Sequence, residues 1–279
     1  MNTRELALRT VSAGTYYTLL AFVTLAALTP VVWVVLSSFK TNPQILSNAG
    51  SLPRPPTLHG YRNAFNDVEL GRALLNTLIY ALGGTLGALI TGFLAAYPTS
   101  RLAFRGRQLL VVAFSVALAV PLVGLIVPEF FIVRYLGLFD TKLGLILFYS
   151  AMFFPLSFVI LRAFLVSLPY EMEEAATIDG AGYFTILSRI VAPLATPGLA
   201  TVAVLVFIFI WNEYFFAQLL TISFENLNVQ TTLAEFRSAF QRDTAAQLAG
   251  TTVAMAVPIA AFLLLQRYVI AGLTAGSSR

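Results

Sequence analysis

No cysteine occurs among the 279 residues, which excludes disulfide bridges and thiolate chemistry and leaves the compartment open. Histidine occurs once, as His59. With no second histidine at ligand spacing and no H-E-x-x-H arrangement, a zinc site has nothing to build on. The only lysines are Lys40 and Lys142. A phosphate loop of the form G-x-x-x-x-G-K-[ST] grips its nucleotide with backbone amides and that lysine. Lys40 follows Phe39 and Lys142 follows Thr141, so neither completes the pattern. A G-x-S-x-G nucleophile elbow is also missing, which removes the local sign of a serine hydrolase.

The largest deficit is charge. Charged residues make up 11% of the chain and hydrophobic ones 58%, where a soluble domain carries roughly a quarter charged. A soluble fold of this length would need a charged surface, whereas a bilayer removes that need. Six charge-free runs lie between Arg9 and Lys40 (30 residues), Arg72 and Arg101 (28), Arg107 and Glu129 (21), Lys142 and Arg162 (19), Arg189 and Glu213 (23), and Asp243 and Arg267 (23). Each is near the roughly 20 apolar residues that cross the hydrocarbon as a helix. A transmembrane β-barrel would alternate in polarity over about ten residues, and a run such as Leu109–Val127 is apolar on every face. The first run is too long for a signal-peptide core and has no small-x-small cleavage site, so it is expected to stay as a span. The net charge of +4 comes from basic residues scattered at run ends, not from a patch with interleaved aromatics, so no nucleic-acid partner is expected.

The expected organisation is an amphipathic N-terminal segment over 1–15, a six-helix transmembrane region over 16–268, and a tail over 269–279. The first span lies near 16–38 and is followed by the Pro-rich Ser51–Pro56. A basic turn at Arg101–Arg107 joins spans two and three, and a short loop at Gly137–Thr141 leads to span four. Six spans place both termini on one side. The basic residues divide nine to eight between the two sides, and only the three arginines of the 101–107 turn favour termini inside. Gly83-x-x-x-Gly87 overlaps Ala88-x-x-x-Gly92, a ladder of small residues that lets helix backbones approach. Pro121, Pro128, Pro155 and Pro258 are expected to kink their helices. No internal repeat is visible, which disfavours a secondary transporter built from two similar halves.

The polar stretch 167–197 carries the most information. Pro169 suits a first helical position, and Glu171, Glu173 and Glu174 suit the positive end of a helix dipole. Gly180 and Gly182 supply a stop and a sharp turn, and a second short helix should run from Tyr183 until Pro193 interrupts it. Ala175 and Ala176 are small enough to admit another protein closely. Physics alone leaves two readings open: a docking helix-turn-helix, or an interfacial connector between spans.

The spacing Glu174-Ala175-Ala176, three residues, Gly180, then nine residues to Ile190 resembles the EAA loop of ABC importer permeases. The family continues with one variable residue and Leu-Pro, where this chain has Val191-Ala192-Pro193, so Ala192 replaces the leucine and the proline is kept. Trp211-Asn-Glu-Tyr-Phe215, Arg134-Tyr-Leu-Gly-Leu-Phe-Asp-Thr141, Pro55-Pro-Thr-Leu-His-Gly-Tyr61 and Tyr268-x-x-Ala-Gly-Leu-Thr-Ala-Gly276 resemble its carbohydrate branch, in the manner of the maltose-type second permease. The resemblance implies an all-α membrane protein of six transmembrane helices, with a cytoplasmic helix-turn-helix coupling loop between spans four and five. It implies ATPase coupling through Glu174, Ala175, Ala176 and Gly180, with Asp179 and Ala181 supporting the turn. It implies partners: a homologous permease, two cytoplasmic ATPase subunits, an extracytoplasmic solute-binding protein and a sugar. No cofactor is expected on this chain; ATP and Mg belong to the ATPases. The setting it implies is a bacterial or archaeal cytoplasmic (inner) membrane with both termini cytoplasmic.

Ionisable groups at the margins of a span tend to pair or to line a watery path. Glu213, with Trp211 and Asn212, and Glu129 are therefore candidates for the substrate path. An ion-coupled secondary transporter is the rival reading, and it would make such carboxylates indispensable. The 23 Phe, 11 Tyr and 2 Trp are ordinary for membrane helices, so the substrate class rests on the resemblance.

Overall fold

The computed structural model describes residues 3–66, 69–235 and 243–275, and all regular structure among them is helical. In order, the helices are α1 (Thr3–Ser37), α2 (Asn42–Ser47), α3 (His59–Asn66), α4 (Leu70–Arg101), α5 (Arg107–Val116), α6 (Ile126–Tyr135), α7 (Lys142–Ser167), α8 (Glu171–Ile178), α9 (Tyr183–Ile186), α10 (Ala192–Leu194), α11 (Thr196–Trp211), α12 (Phe215–Leu220), α13 (Val229–Glu235) and α14 (Thr244–Ala275). From Thr3 on, the N-terminal segment expected over 1–15 is continuous with the first span, since α1 has no break. The expected tail is helical to Ala275; Gly276 and the residues after it lie outside the described residues.

Four stretches are long and apolar enough to cross a membrane: Thr15–Ser37, Leu70–Arg101, Lys142–Ser167 and Thr244–Leu264. A fifth is bent, with Tyr183–Leu194 meeting Thr196–Trp211 at 72°. The third charge-free run is divided. α5 ends at Val116, a 3-10 turn covers Ala117–Ala119, a second covers Leu122–Leu125, and α6 follows. Pro121 accounts for the division: a proline donates no N–H and drives the residue before it out of the helical region, and Val120 is extended at ψ 122°. The kink expected at Pro121 is thus a full break, whereas α7 and α14 continue through Pro155 and Pro258.

The chain forms two compact units, residues 1–70 with 233–255, and residues 71–232 with 256–279. In the first unit Asp243 caps α14, its carboxylate accepting from Ala246 N at 2.9 Å. It also accepts from Asn42 Nδ2 at 3.0 Å and Asn63 Nδ2 at 2.7 Å, which ties α2 and α3 to the start of α14.

The second unit is built on the small-residue ladder. A Cβ on Gly83 would meet Ile146, one on Gly84 would meet Tyr149, one on Gly87 would meet Ser150 and one on Gly92 would meet Ser157. Both numbers rise together, so α4 and α7 run parallel. The segment from α5 to α6 runs the other way along α7, with Phe114 against Phe154 and Phe158 and the α6 end near Phe139. α11 is also antiparallel to α7: Gly198 lies against Phe164, and Phe209 stacks on Phe153. At one end of the unit, Asn76 Nδ2 donates to the carbonyls of Glu225 (2.8 Å) and Leu227 (3.0 Å). At the other end sits the polar stretch 167–197.

Candidate functional site

α8 starts at Glu171, so Pro169 lies outside the helix and not at its first position as expected. Glu171, Glu173 and Glu174 do occupy the first turn, where the unsatisfied N–H groups favour negative charge. The helix ends in a Schellman motif. Gly180 N donates to Thr177 O (3.1 Å) and Ala181 N to Ala176 O (2.9 Å), closing the last carbonyls around a left-handed residue. Gly180 is that residue, at φ +81°. Gly182 is extended and precedes α9, accepting at its carbonyl from Thr185 and Ile186.

The second loop helix does not stop at Pro193. It passes through a π turn at Leu187–Val191 and α10, and breaks at Ala195. Since Pro193 cannot donate a backbone hydrogen bond, the wider π turn ahead of it takes up the missing register.

α8 has two faces. Glu174, Ala175, Thr177, Ile178, Asp179 and Gly180 are exposed, while Glu173 and Ala176 are buried. Ala176 thus packs inside the chain, and of the two alanines only Ala175 is exposed. Ile178 (85% exposed), Phe184 (77%) and Met172 (51%) add apolar area to this otherwise polar segment.

Glu173, three residues before Ala176 and on the same face, has no place in the sequence-derived site. Its Oε1 lies 2.8 Å from Arg101 Nε, and its Oε2 accepts from Tyr97 Oη at 2.9 Å. Arg101 donates through Nη2 to Leu168 O (3.0 Å) and lies over the Tyr170 ring at 5.5 Å. The sequence holds a faint sign of this: Glu173 falls on the helical face of Ala176, and Arg101 closes a charge-free run.

The candidate substrate-path residues differ in their surroundings. Trp211 is buried at 2% exposure and stacks on Phe207. Asn212 is exposed and donates to Ile208 O at 2.8 Å. Glu213 accepts from Tyr149 Oη (2.7 Å), Phe216 N (2.8 Å) and Ala217 N (3.0 Å), which anchors the start of α12. Glu129 lines a cavity of about 410 Å³ walled by apolar side chains such as Ala117, Leu125, Phe148 and Met152. Its Oε2 is buried without a hydrogen-bond partner.

The family described as binding-protein-dependent transport system inner membrane component matches residues 88–274, which include the second part of α4, all of α8 and all but the last residue of α14. The chain is 37% identical over 254 residues to the trehalose transport system permease protein SugB of Mycobacterium tuberculosis, covering 90% of this chain and 92% of that one. It is 31% identical over 269 residues to the diacetylchitobiose uptake system permease protein NgcG of Streptomyces coelicolor, covering 96% and 89%. A chain of the crystal structure of a bacterial ABC transporter involved in import of the acidic polysaccharide alginate matches at TM-score 0.80 and 24% identity, over 96% of this chain and 98% of that one. At that identity the likeness is one of fold.

Proposed function

The chain belongs to the family of binding-protein-dependent transport system inner membrane components, and from that membership we propose that it forms half of the translocation path of an ATP-driven importer of an oligosaccharide or related carbohydrate. The observation that carries the coupling part is the two-faced α8, with Glu174, Ala175 and Ile178 outward and a fixed glycine turn behind them. This outward face seats in a cytoplasmic ATPase subunit, and closure of the ATPases around ATP and Mg drives the helices between inward- and outward-open states. The chain itself holds no cofactor. A homologous permease completes the path, a second ATPase serves it, and an external binding protein delivers the sugar, in keeping with the sugar-named relatives.

Six crossings with both termini cytoplasmic fit best. The parallel seam of α4 and α7 supports a third crossing within 107–135, because consecutive parallel helices need a return between them. In this topology Arg101–Arg107 and α8 are cytoplasmic, while Asp140 and Asp243 are external.

The test uses the complex purified through a tag on this chain and reconstituted in liposomes. Glu174→Ala and Gly180→Val should each leave membrane insertion unchanged and lower ATP-driven uptake about tenfold or more. Trehalose and diacetylchitobiose are the first sugars to supply. A branched side chain in the left-handed region costs about 1–2 kcal/mol, enough to displace the turn. Normal uptake by both variants would discard the coupling role of the loop.

A further inference from the structure

A docking face can move the spans only if its opposite face is fastened to one of them. The buried face of α8 is fastened at Glu173, and both of its carboxylate oxygens are committed to α4: one to Arg101, the last residue of that helix, and one to Tyr97, one turn earlier. The Tyr97 hydrogen bond sets the direction of the carboxylate, and the Arg101 contact, an ion pair whose Nε–H is not aligned on Oε1, sets its distance. The side chains of Arg101 and Glu173 are 8% and 6% exposed, so water neither screens the pair nor competes for it. Arg101 also holds Leu168 O and covers the Tyr170 ring, which pins the short linker that joins α7 to α8. Tyr97 in turn packs its ring on Tyr183 at the start of α9, with centroids 5.3 Å apart. Three consecutive segments, the linker, α8 and α9, therefore converge on the end of α4. Beyond that end, α4 lies on α7 through glycines that leave no side-chain slack.

We propose that the buried Glu173–Arg101 pair, with Tyr97, is a positioning link that locks α8 to α4, so that displacement of the loop moves the span as one body. The proposal rests on the reading of α8 as the docking element, and it assigns roles to residues outside the docking face.

Because the chain has no cysteine, spin labels can be placed on single introduced cysteines at exposed Thr177 in α8 and exposed Leu75 near the far end of α4. The complex, purified with its ATPases, is measured with and without ATP and Mg. In the parent chain the Thr177–Leu75 separation should be single and unchanged by nucleotide. In Glu173→Gln, which keeps an acceptor for Tyr97 but removes the charge, it should broaden and shift on ATP addition, with the ATPases still co-purifying. The exchange Glu173→Arg with Arg101→Glu should restore a nucleotide-independent separation, and Tyr97→Phe should give a smaller shift than Glu173→Gln. A nucleotide-dependent separation in the parent chain, or an unchanged one in Glu173→Gln, overturns the link. So does loss of the ATPases from Glu173→Gln, since the pair would then shape the docking face and not transmit its motion. Failure of the docking reading shows separately, as normal uptake by the Glu174 and Gly180 variants.

Discussion

Asp140 shows how much one carboxylate can organise. It sits at φ +55° and its side chain accepts from Ile222 N (3.0 Å), Ser223 N (3.1 Å) and the Ser223 hydroxyl. Its backbone closes the same joint, accepting from Asn226 Nδ2 at 2.6 Å and donating to Leu220 O at 2.9 Å. Burial pushes this carboxyl up, but the donors from Ser223, Ile222 and Asn226 outweigh it and hold the group below the ordinary aspartate value. A depressed folded-state value contributes stability that is fully present above the unfolded value, about 3.9, and is lost as pH falls through the folded one. Asp140→Asn is the informative change, because asparagine tolerates positive φ while it removes the charge and replaces one acceptor oxygen with an amide donor. At pH 7 it should cost about 1 kcal/mol, the value of charge-assisted bonds reduced for a partly exposed site. Thermal unfolding in detergent should show the two chains converging as pH drops below about 4. A gap that stays constant to pH 3 would remove the charge from the explanation. Nothing in the sequence singled out Asp140 for this, since its partners lie 80 or more residues away.

The packing of α4 on α7 can be tested where a glycine of α4 meets the backbone of α7. A Cβ at Gly92 would lie 2.7 Å from Ser157 Cβ and 3.1 Å from Phe158 N, and the latter is backbone that cannot swing aside. Gly92→Leu should therefore cost about 1–3 kcal/mol through overpacking and reduce recovery of folded protein from membranes. Leu86→Ala, at a position 58% exposed on the same helix, should leave recovery near the parent level and serves as the control. The ladder itself was legible, because glycine and alanine at four-residue spacing have a direct steric meaning in a membrane helix. The partner helix was not: Tyr149, Ser150 and Ser157 carry no mark saying which neighbour they face. The same division holds in the loop. The glutamates and Gly180 announced α8 and its turn through local chemistry, while the burial of Ala176 and the pairing of Glu173 with Arg101 depend on what α4 brings from 70 residues away. Prolines behaved alike. Their positions told where the backbone loses a hydrogen bond, and the structure shows that the helix breaks at Pro121 while α7 and α14 continue through Pro155 and Pro258.

The number of membrane crossings follows from directions more than from hydropathy. By length and composition the described residues contain four crossing helices and one bent pair, and 107–135 does not qualify as a single helix. Yet α4 and α7 run the same way, and α5 and α6 lie along α7 in the opposite sense, with Phe114 beside Phe158 and Val133 sharing a cavity with Phe148. α5 and α6 hold 10 residues each, about 30 Å of helix at 1.5 Å per residue, which matches the hydrocarbon thickness before the 3-10 turns are added. A broken segment can span if its loosened backbone is shielded by protein, and α7 lies against this one. The absence of cysteine makes the topology measurable with single substitutions. Phe104→Cys, before α5, and Tyr135→Cys, at the end of α6 and 91% exposed, should fall on opposite sides. In intact cells a membrane-impermeant maleimide should label Tyr135→Cys directly and Phe104→Cys only after permeabilisation. Labelling of both from outside, or of neither, would place 107–135 on one face of the membrane. The chain would then cross five times, its termini would part to opposite sides, and the parallel seam would need another return path, which the described residues between Arg101 and Lys142 do not offer.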